Sequence, residues 1–162
     1  MTAPPMAYYG SKTRLASRIA ALLPAHEHYV EPFAGSLAVL LAKKPSRMET
    51  VNDLDHLLMT FWRVLRKKPE QLARACALTP HSRAEHAVAR TTDLTHLDDV
   101  EQARLVWVWI TQSRGGTMKA STGWRCYVNP GGNSTGMPGY LDAYVDRMAA
   151  GAERLHHVSL EC

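Results

Sequence analysis

The stretch Tyr29-Val-Glu-Pro-Phe-Ala-Gly-Ser36 decides how the chain is read. His28-Tyr-Val-Glu31 is a short strand candidate, and Pro32 closes it because proline cannot donate to a strand ladder. Phe33-Ala-Gly-Ser36 then reads as a turn. Ser36 is placed to cap a helix running through Leu37, Val39, Leu40 and Leu41. Gly35 lacks a side chain, so a nucleoside can approach the backbone closely there. An ordinary strand-turn-helix connection has the same appearance. The glycine fingerprint of dinucleotide sites is not met, since Leu37 stands two places after Gly35.

Downstream, Glu49-Thr-Val-Asn52 is a second strand candidate. Leu54, Leu57, Leu58, Phe61, Trp62 and Leu65 follow at helical spacing and mark a strongly amphipathic helix. Upstream, Leu15, Ile19 and Leu22 recur at helical spacing between Ser11 and Leu23, and Pro24 ends that helix. Helix, strand, helix, strand, helix implies an α/β unit with parallel strands and a ligand site at their carboxyl ends. Asp53 ends the second strand about 20 residues after the glycine turn, the spacing of an acid that accepts from ribose hydroxyls. Asp53 and Asp55 also suit a helix cap, and both roles can coexist.

Beyond this unit the pattern changes. Pro69 to Arg90 reads as helical with a break at Pro80-His81-Ser82, and Val100 to Ser113 is a helix. Its Leu105-Val-Trp-Val-Trp-Ile110 is apolar nearly all round, which predicts deep burial and makes Trp107 and Trp109 core residues. A Gly-, Ser-, Thr- and Asn-rich stretch follows from Arg114 to Gly139. Then come a helix with Leu141, Tyr144, Val145 and Met148 and a third strand at His157-Val-Ser-Leu160. Residues 1–66 form the α/β part, 67–140 a helical insert with a Gly-rich loop, and 141–162 the return to the sheet. A parallel sheet of so few strands leaves a bare edge and an unfilled face, which predicts a missing segment or a partner chain.

Composition narrows the classes. The formal net charge of +4 favours encounter with polyanions only modestly. No apolar run is long enough to span a bilayer, and the start has no secretory pattern. Cys76, Cys126 and Cys162 are odd in number and far apart, which fits a reducing cytoplasm. The histidines and cysteines make no metal set, and Cys126 has no context of a nucleophile.

One further segment, Tyr8-Tyr-Gly-Ser-Lys12, stands before the first helix. Lys12 is unfavourable to a helix start and is free to pair with a ligand carboxylate, although a solvated lysine is the plainer reading. It is no P-loop, lacking the upstream glycine and the Gly-Lys pair. The ordered set "YYGSK", "YVEPFAGS" and "VNDLD" with "FWRVLR" resembles the Dam-type DNA adenine N6-methyltransferases over about the first 66 residues. The resemblance implies a Rossmann-like methyltransferase fold with a mainly helical DNA-recognition insert. It implies S-adenosylmethionine as methyl donor, double-stranded DNA as substrate, and a bacterial or phage origin.

Tyr9 and Lys12 match the amino-terminal donor motif, with the lysine near the methionine carboxylate. Glu31, Pro32, Phe33, Ala34 and Gly35 match the motif around the methionine and sulfonium, and Asp53 matches the acid that holds the ribose. Many members carry a second glycine where this chain has Leu37. Position in the family gives the Gly-rich stretch to DNA. Arg114, Lys119, Arg125 and Asn129 are expected on phosphates, and Trp124 or Tyr127 against bases. The alternative is a surface loop with ordinary polar residues.

The family's catalytic string is (Asp/Asn/Ser)-Pro-Pro-(Tyr/Phe/Trp). Its acceptors bind the hydrogens of an adenine amino group whose lone pair is delocalised, and its aromatic stacks on the extruded base. Ala3-Pro-Pro-Met6 and Asn129-Pro-Gly-Gly132 are the nearest strings, and neither supplies all the parts. No catalytic residue is therefore assigned, and the chain reads as truncated before that motif. The rival readings are a non-catalytic donor- or DNA-binding remnant, half of a split enzyme, and a related methyltransferase acting on RNA or a small molecule.

Overall fold

The computed structural model describes residues 1–118, 122–127, 132 and 135–162. In chain order the elements begin α1 (Ala16–Leu22), β1 (His28–Glu31), α2 (Ala38–Ala42), β2 (Met48–Asn52) and α3 (His56–Lys67). They continue α4 (Pro69–Ala77), α5 (Arg83–Thr91), a short 3-10 turn (Leu94–His96) and α6 (Asp99–Gln112). The last are α7 (Gly136–Val145), α8 (Met148–Arg154) and β3 (Val158–Glu161).

The three strands form one parallel sheet with β2 in the centre. His28 lies opposite Met48 and Glu31 opposite Val51, while Glu49 faces Val158 and Asn52 faces Glu161. All three carboxyl ends therefore point the same way, the end at which open α/β sheets bind ligands. Glu49, Val51 and Val158 are buried on one face, whereas Val30 and Met48 on the other are more than half exposed. Parallel sheets are ordinarily covered on both faces.

The helices between β2 and β3 share the sheet's core. α3 buries Leu58, Met59, Phe61, Trp62, Val64 and Leu65, a stripe repeating at three and four residues. Asp55 caps it by accepting from the Leu58 amide at 3.2 Å. Its principal partner is α6, where Leu105, Val106, Trp107, Val108 and Ile110 are buried and Trp109 is partly so. Trp107 sits fully buried because its indole donates to the Pro5 carbonyl at 2.9 Å.

Some expectations change. α1 begins at Ala16 rather than Ser11, since Lys12 to Leu15 is spent on a turn closed by the Leu15 amide on the Lys12 carbonyl. Ser36 does not cap α2. The residue before that helix is Leu37, held left-handed at φ 55, and the Ser36 hydroxyl instead bonds Ser11 Oγ at 2.7 Å. The long helix expected around Leu141 to Met148 is two helices, broken at Asp146 and Arg147.

His86 is buried on α5 with Nε2 2.8 Å from Ser113 Oγ. Burial, with Arg90 nearby, pushes its pKa below the usual 6.5. The unfolded chain therefore takes up a proton that the folded chain resists, and stability is lost as pH falls through about 6.5. Urea midpoints should decline over that window in the wild type. The decline should be shallower in His86→Gln, and an identical profile would dismiss the assignment.

Candidate functional site

At the carboxyl ends of β1 and β2 the chain builds a compact knot around Gly35. The Ala34 amide donates to the Asn52 carbonyl at 2.9 Å, so the turn after β1 is stitched to the end of β2. The Gly35 amide donates to Asp53 Oδ2 at 2.9 Å, and the Asp55 amide donates to Asp53 Oδ1 at 3.0 Å. Trp62 reaches back from α3 to donate its indole N–H to the Gly35 carbonyl at 3.0 Å. Gly35 has φ 50, and a Cβ there would stand 3.1 Å from Cε1 of Tyr8. The missing side chain thus admits the Tyr8 ring. Asp55 takes the capping role, and Asp53 holds the two backbone amides.

Asp53 is partly exposed. A carboxylate offers about four lone-pair positions, and two are engaged by these amides. The remaining positions can accept from hydroxyl groups. The Tyr8 phenol beside it is pushed up to about 12, by burial first and then by the Asp53 and Asp55 carboxylates. Tyr8 stays a neutral phenol, which adds no charge beside the carboxylate.

The segment Ala7–Ser11 runs as a strap over this knot. The Ser11 hydroxyl is tied to Ser36, and its amide donates to the Tyr8 carbonyl at 3.0 Å. Tyr9 on the strap, Phe33 after β1 and Leu54 after Asp53 are all exposed, at 73%, 83% and 76%. Three large apolar side chains facing water on the strap and on the segments that lead into Gly35 and out of Asp53 are the makings of a surface for an apolar ring. The sequence alone singled out Tyr9 and Phe33. Leu54 was read only as part of the helix stripe, yet α3 starts at His56 and leaves it outside.

The other expected residues are placed as follows. Ala34 is buried in the turn and Pro32 is exposed, with its carbonyl accepting from Asn52 Nδ2 at 3.2 Å. Lys12 is exposed and donates to the Gly10 carbonyl at 2.8 Å. Glu31 turns toward the protein. Its carboxylate accepts from the Tyr29 hydroxyl at 2.9 Å and from the Leu40 amide at 3.2 Å, near the start of α2. Burial pushes its pKa up despite those bonds and Lys43.

Within the Gly-rich stretch, residues 113–114 and 123–125 pair antiparallel at the end of α6, the two described arms of a hairpin. Ser113 bridges Trp124 in antiparallel fashion, the Arg114 amide donates to the Gly123 carbonyl and the Arg125 amide to the Gln112 carbonyl. Gln112, fully buried, is the anchor. Its Oε1 accepts from the Ser82 amide and the Trp124 indole, and its Nε2 donates to the Pro80 carbonyl. A lone glutamine at a helix end gave no sign of this in the sequence. Arg114 and Tyr127 are exposed. The Arg125 guanidinium lies 5.6 Å from the Tyr140 ring centre. Trp124 stacks on His81 with centroids 4.5 Å apart, and Arg83 lies 5.4 Å from its ring centre. Lys119 and Asn129 lie outside the described residues.

A second charged centre lies at the amino ends of the strands, beside a cleft of about 560 Å³ lined by residues including Lys43, Arg47, Glu49, Arg154 and His157. Its floor is occupied with itself. Buried Glu49 accepts from Arg154 twice, from Lys43 and from the Ser46 amide, and Lys43 has two further acceptors. Burial raises the Glu49 pKa, but the bonds from Arg154 and Lys43 outweigh it and hold the carboxyl low. A carboxylate so fully engaged has little left for a ligand.

A family model described as D12 class N6 adenine-specific DNA methyltransferase matches residues 8–107, more than half of the chain. The match takes in the strap from Tyr8, the glycine turn, Asp53 and α6 as far as Trp107, and it ends before the Gly-rich hairpin. No curated protein matches the chain. Among the described residues, no helix is long and apolar enough to cross a membrane.

Proposed function

The chain belongs to the D12 class N6 adenine-specific DNA methyltransferases, and on that premise we propose that the knot around Gly35 and Asp53 binds S-adenosylmethionine for methylation of adenine in duplex DNA. One observation carries the reading. A partly exposed carboxylate, fixed by two backbone amides, stands at the carboxyl ends of parallel strands, and the adjoining segments expose Tyr9, Phe33 and Leu54. Asp53 accepts from the ribose hydroxyls. Phe33, Leu54 and Tyr9 cover apolar parts of the donor. Lys12 reaches the methionine carboxylate by leaving the Gly10 carbonyl. Ala34 and Pro32 shape the turn, and Glu31 supports it from behind through the start of α2. The bound donor supplies an electrophilic methyl group.

The fold is Rossmann-like in this reading, with β1 and β2 as its donor-binding strands. The helices and hairpin between β2 and β3 are its DNA-recognition insert. Exposed Arg114 and half-buried Arg125 meet phosphates, together with Lys119 and Asn129. Tyr127 is better placed than Trp124 to meet a base, because Trp124 is already engaged by His81 and Arg83. The free cysteines Cys76, Cys126 and Cys162 accord with a reducing cytoplasm.

The groups that accept the adenine amino hydrogens are not among these residues, since the Pro-Pro-aromatic string is absent from the sequence. We assign that step to residues supplied from elsewhere, in a longer version of the chain or a partner. A donor- or DNA-binding module is the second reading, favoured by the same absence. With methyl-labelled donor and adenine-containing duplex, this chain alone is expected to retain donor on filters and to leave the DNA unlabelled. Labelled adenine would overturn the assignment of the acceptor step, and no retained donor would overturn the binding site.

A further inference from the structure

The strap over Gly35 is held from two sides. On one, the Tyr8 ring packs against Gly35, and the Ser11 hydroxyl bonds Ser36. On the other, the Tyr9 amide donates to the Gly116 carbonyl at 2.8 Å. Gly116 is buried at φ 61, and a Cβ there would stand 2.8 Å from the Ala7 carbonyl oxygen and 3.4 Å from Tyr8 Cα. No real Cβ sits so close to backbone, so the strap and the hairpin fit only because residue 116 is glycine. The same hairpin arm is bridged through Ser113 to Trp124 and through the Arg114 amide to Gly123. Ala7–Tyr9 is thus packed between the glycine turn and the hairpin that carries Arg114, Arg125 and Tyr127.

We propose that Gly116 is a positioning residue that couples the two substrates, setting the Ala7–Tyr9 strap against the Gly35 turn so that donor and DNA each favour the other's binding. This rests on the donor reading above. A ligand on Tyr9 and Asp53 orders the strap, the strap orders residues 113–118, and a duplex on the hairpin biases the same contact in return. Such coupling is reciprocal by necessity. Neither the Gly-rich composition nor the family match, which stops at residue 107, marks Gly116 out from its neighbours.

The neighbouring glycine supplies the control. Gly115 is also left-handed, at φ 84, but a Cβ on it meets nothing within 4 Å. Gly115→Ala and Gly116→Ala therefore carry comparable backbone strain, and only the second drives a side chain into the strap. In calorimetric titration with S-adenosylhomocysteine, Gly116→Ala is expected to bind about tenfold more weakly than Gly115→Ala, equivalent to ~1.4 kcal/mol. Equal affinities would overturn the inference. Should Gly116→Ala fail to fold by circular dichroism, hydrogen exchange on the wild-type chain decides. Adding S-adenosylhomocysteine is expected to slow exchange at the Tyr9 amide and across residues 114–118, with no change in α4. Donor uptake without that protection overturns the coupling alone. A wild-type chain that takes up no donor overturns the functional reading and the coupling with it.

Discussion

Asp53→Ala is expected to weaken binding of S-adenosylmethionine about 100-fold, or ~3 kcal/mol. Asp53 is the only carboxylate in contact with the glycine turn among the described hydrogen bonds, and it does two jobs. Its Oδ2 and Oδ1 accept from the Gly35 and Asp55 amides, which leaves lone pairs on both oxygens for a ligand. Hydrogen bonds from hydroxyls to an ionised acceptor contribute about 1.5–3 kcal/mol each. Alanine removes them and also releases the Gly35 amide, so the turn loosens. Asp55→Ala separates the two effects. It removes the cap on α3 at a cost of about 1 kcal/mol and leaves the Gly35–Asp53 contact in place. Donor affinity in Asp55→Ala should stay within a few-fold of wild type. Equal losses in both variants would mean that Asp53 acts through the fold alone.

The largest stability effect is expected at Leu37. Its side chain is fully buried in the core, yet its backbone is left-handed at φ 55. Among the described residues it is the one non-glycine with positive φ. That conformation costs a residue with a Cβ roughly 1–2 kcal/mol. Truncating a buried leucine to alanine costs about 2–5 kcal/mol. Leu37→Ala keeps the strain and loses the packing. Leu37→Gly loses the same packing but relieves the strain. Urea denaturation should therefore rank wild type above Leu37→Gly, and Leu37→Gly above Leu37→Ala by about 1 kcal/mol. The reverse order of the two variants would remove strain from the account. The burial also gives the reason that leucine stands where many of the family have glycine. The side chain points into the core, so its bulk is not in the space above the turn.

Which parts of this were legible in the sequence follows from how local their causes are. β1 is where the strand-then-proline pattern put it, and β2 begins one residue earlier than expected. Alternation and proline act through neighbouring residues, so the sequence displays them. The break between α4 and α5 at Pro80 to Ser82 was legible for the same reason. The stripe of α3 was visible because Leu58, Phe61, Trp62 and Leu65 repeat at helical spacing and are all buried, while Met59 and Val64 join them from positions the stripe did not include.

The failures depend on distant partners. Ser36 has the composition of a cap, but Ser11 competes for its hydroxyl across 25 positions. Leu54 looked like a core residue until Asp55 started the helix behind it. Gln112 and Gly116 gave no local signal, because their meaning comes from Pro80, Trp124 and Ala7. For the site, sequence spacing brought Gly35 and Asp53 together, and they do touch. The reason for the glycine differs from the one inferred: the space beside it is filled by Tyr8 rather than left open.

The most direct test is a crystal structure of this chain soaked with S-adenosylmethionine. The account predicts density for the nucleoside at the carboxyl ends of β1 and β2, with ribose oxygens about 2.6–3.2 Å from the Asp53 carboxylate and the adenine against Leu54 or Phe33. Density in the cleft between Lys43, Arg47 and Arg154, with Asp53 facing only water, would contradict it.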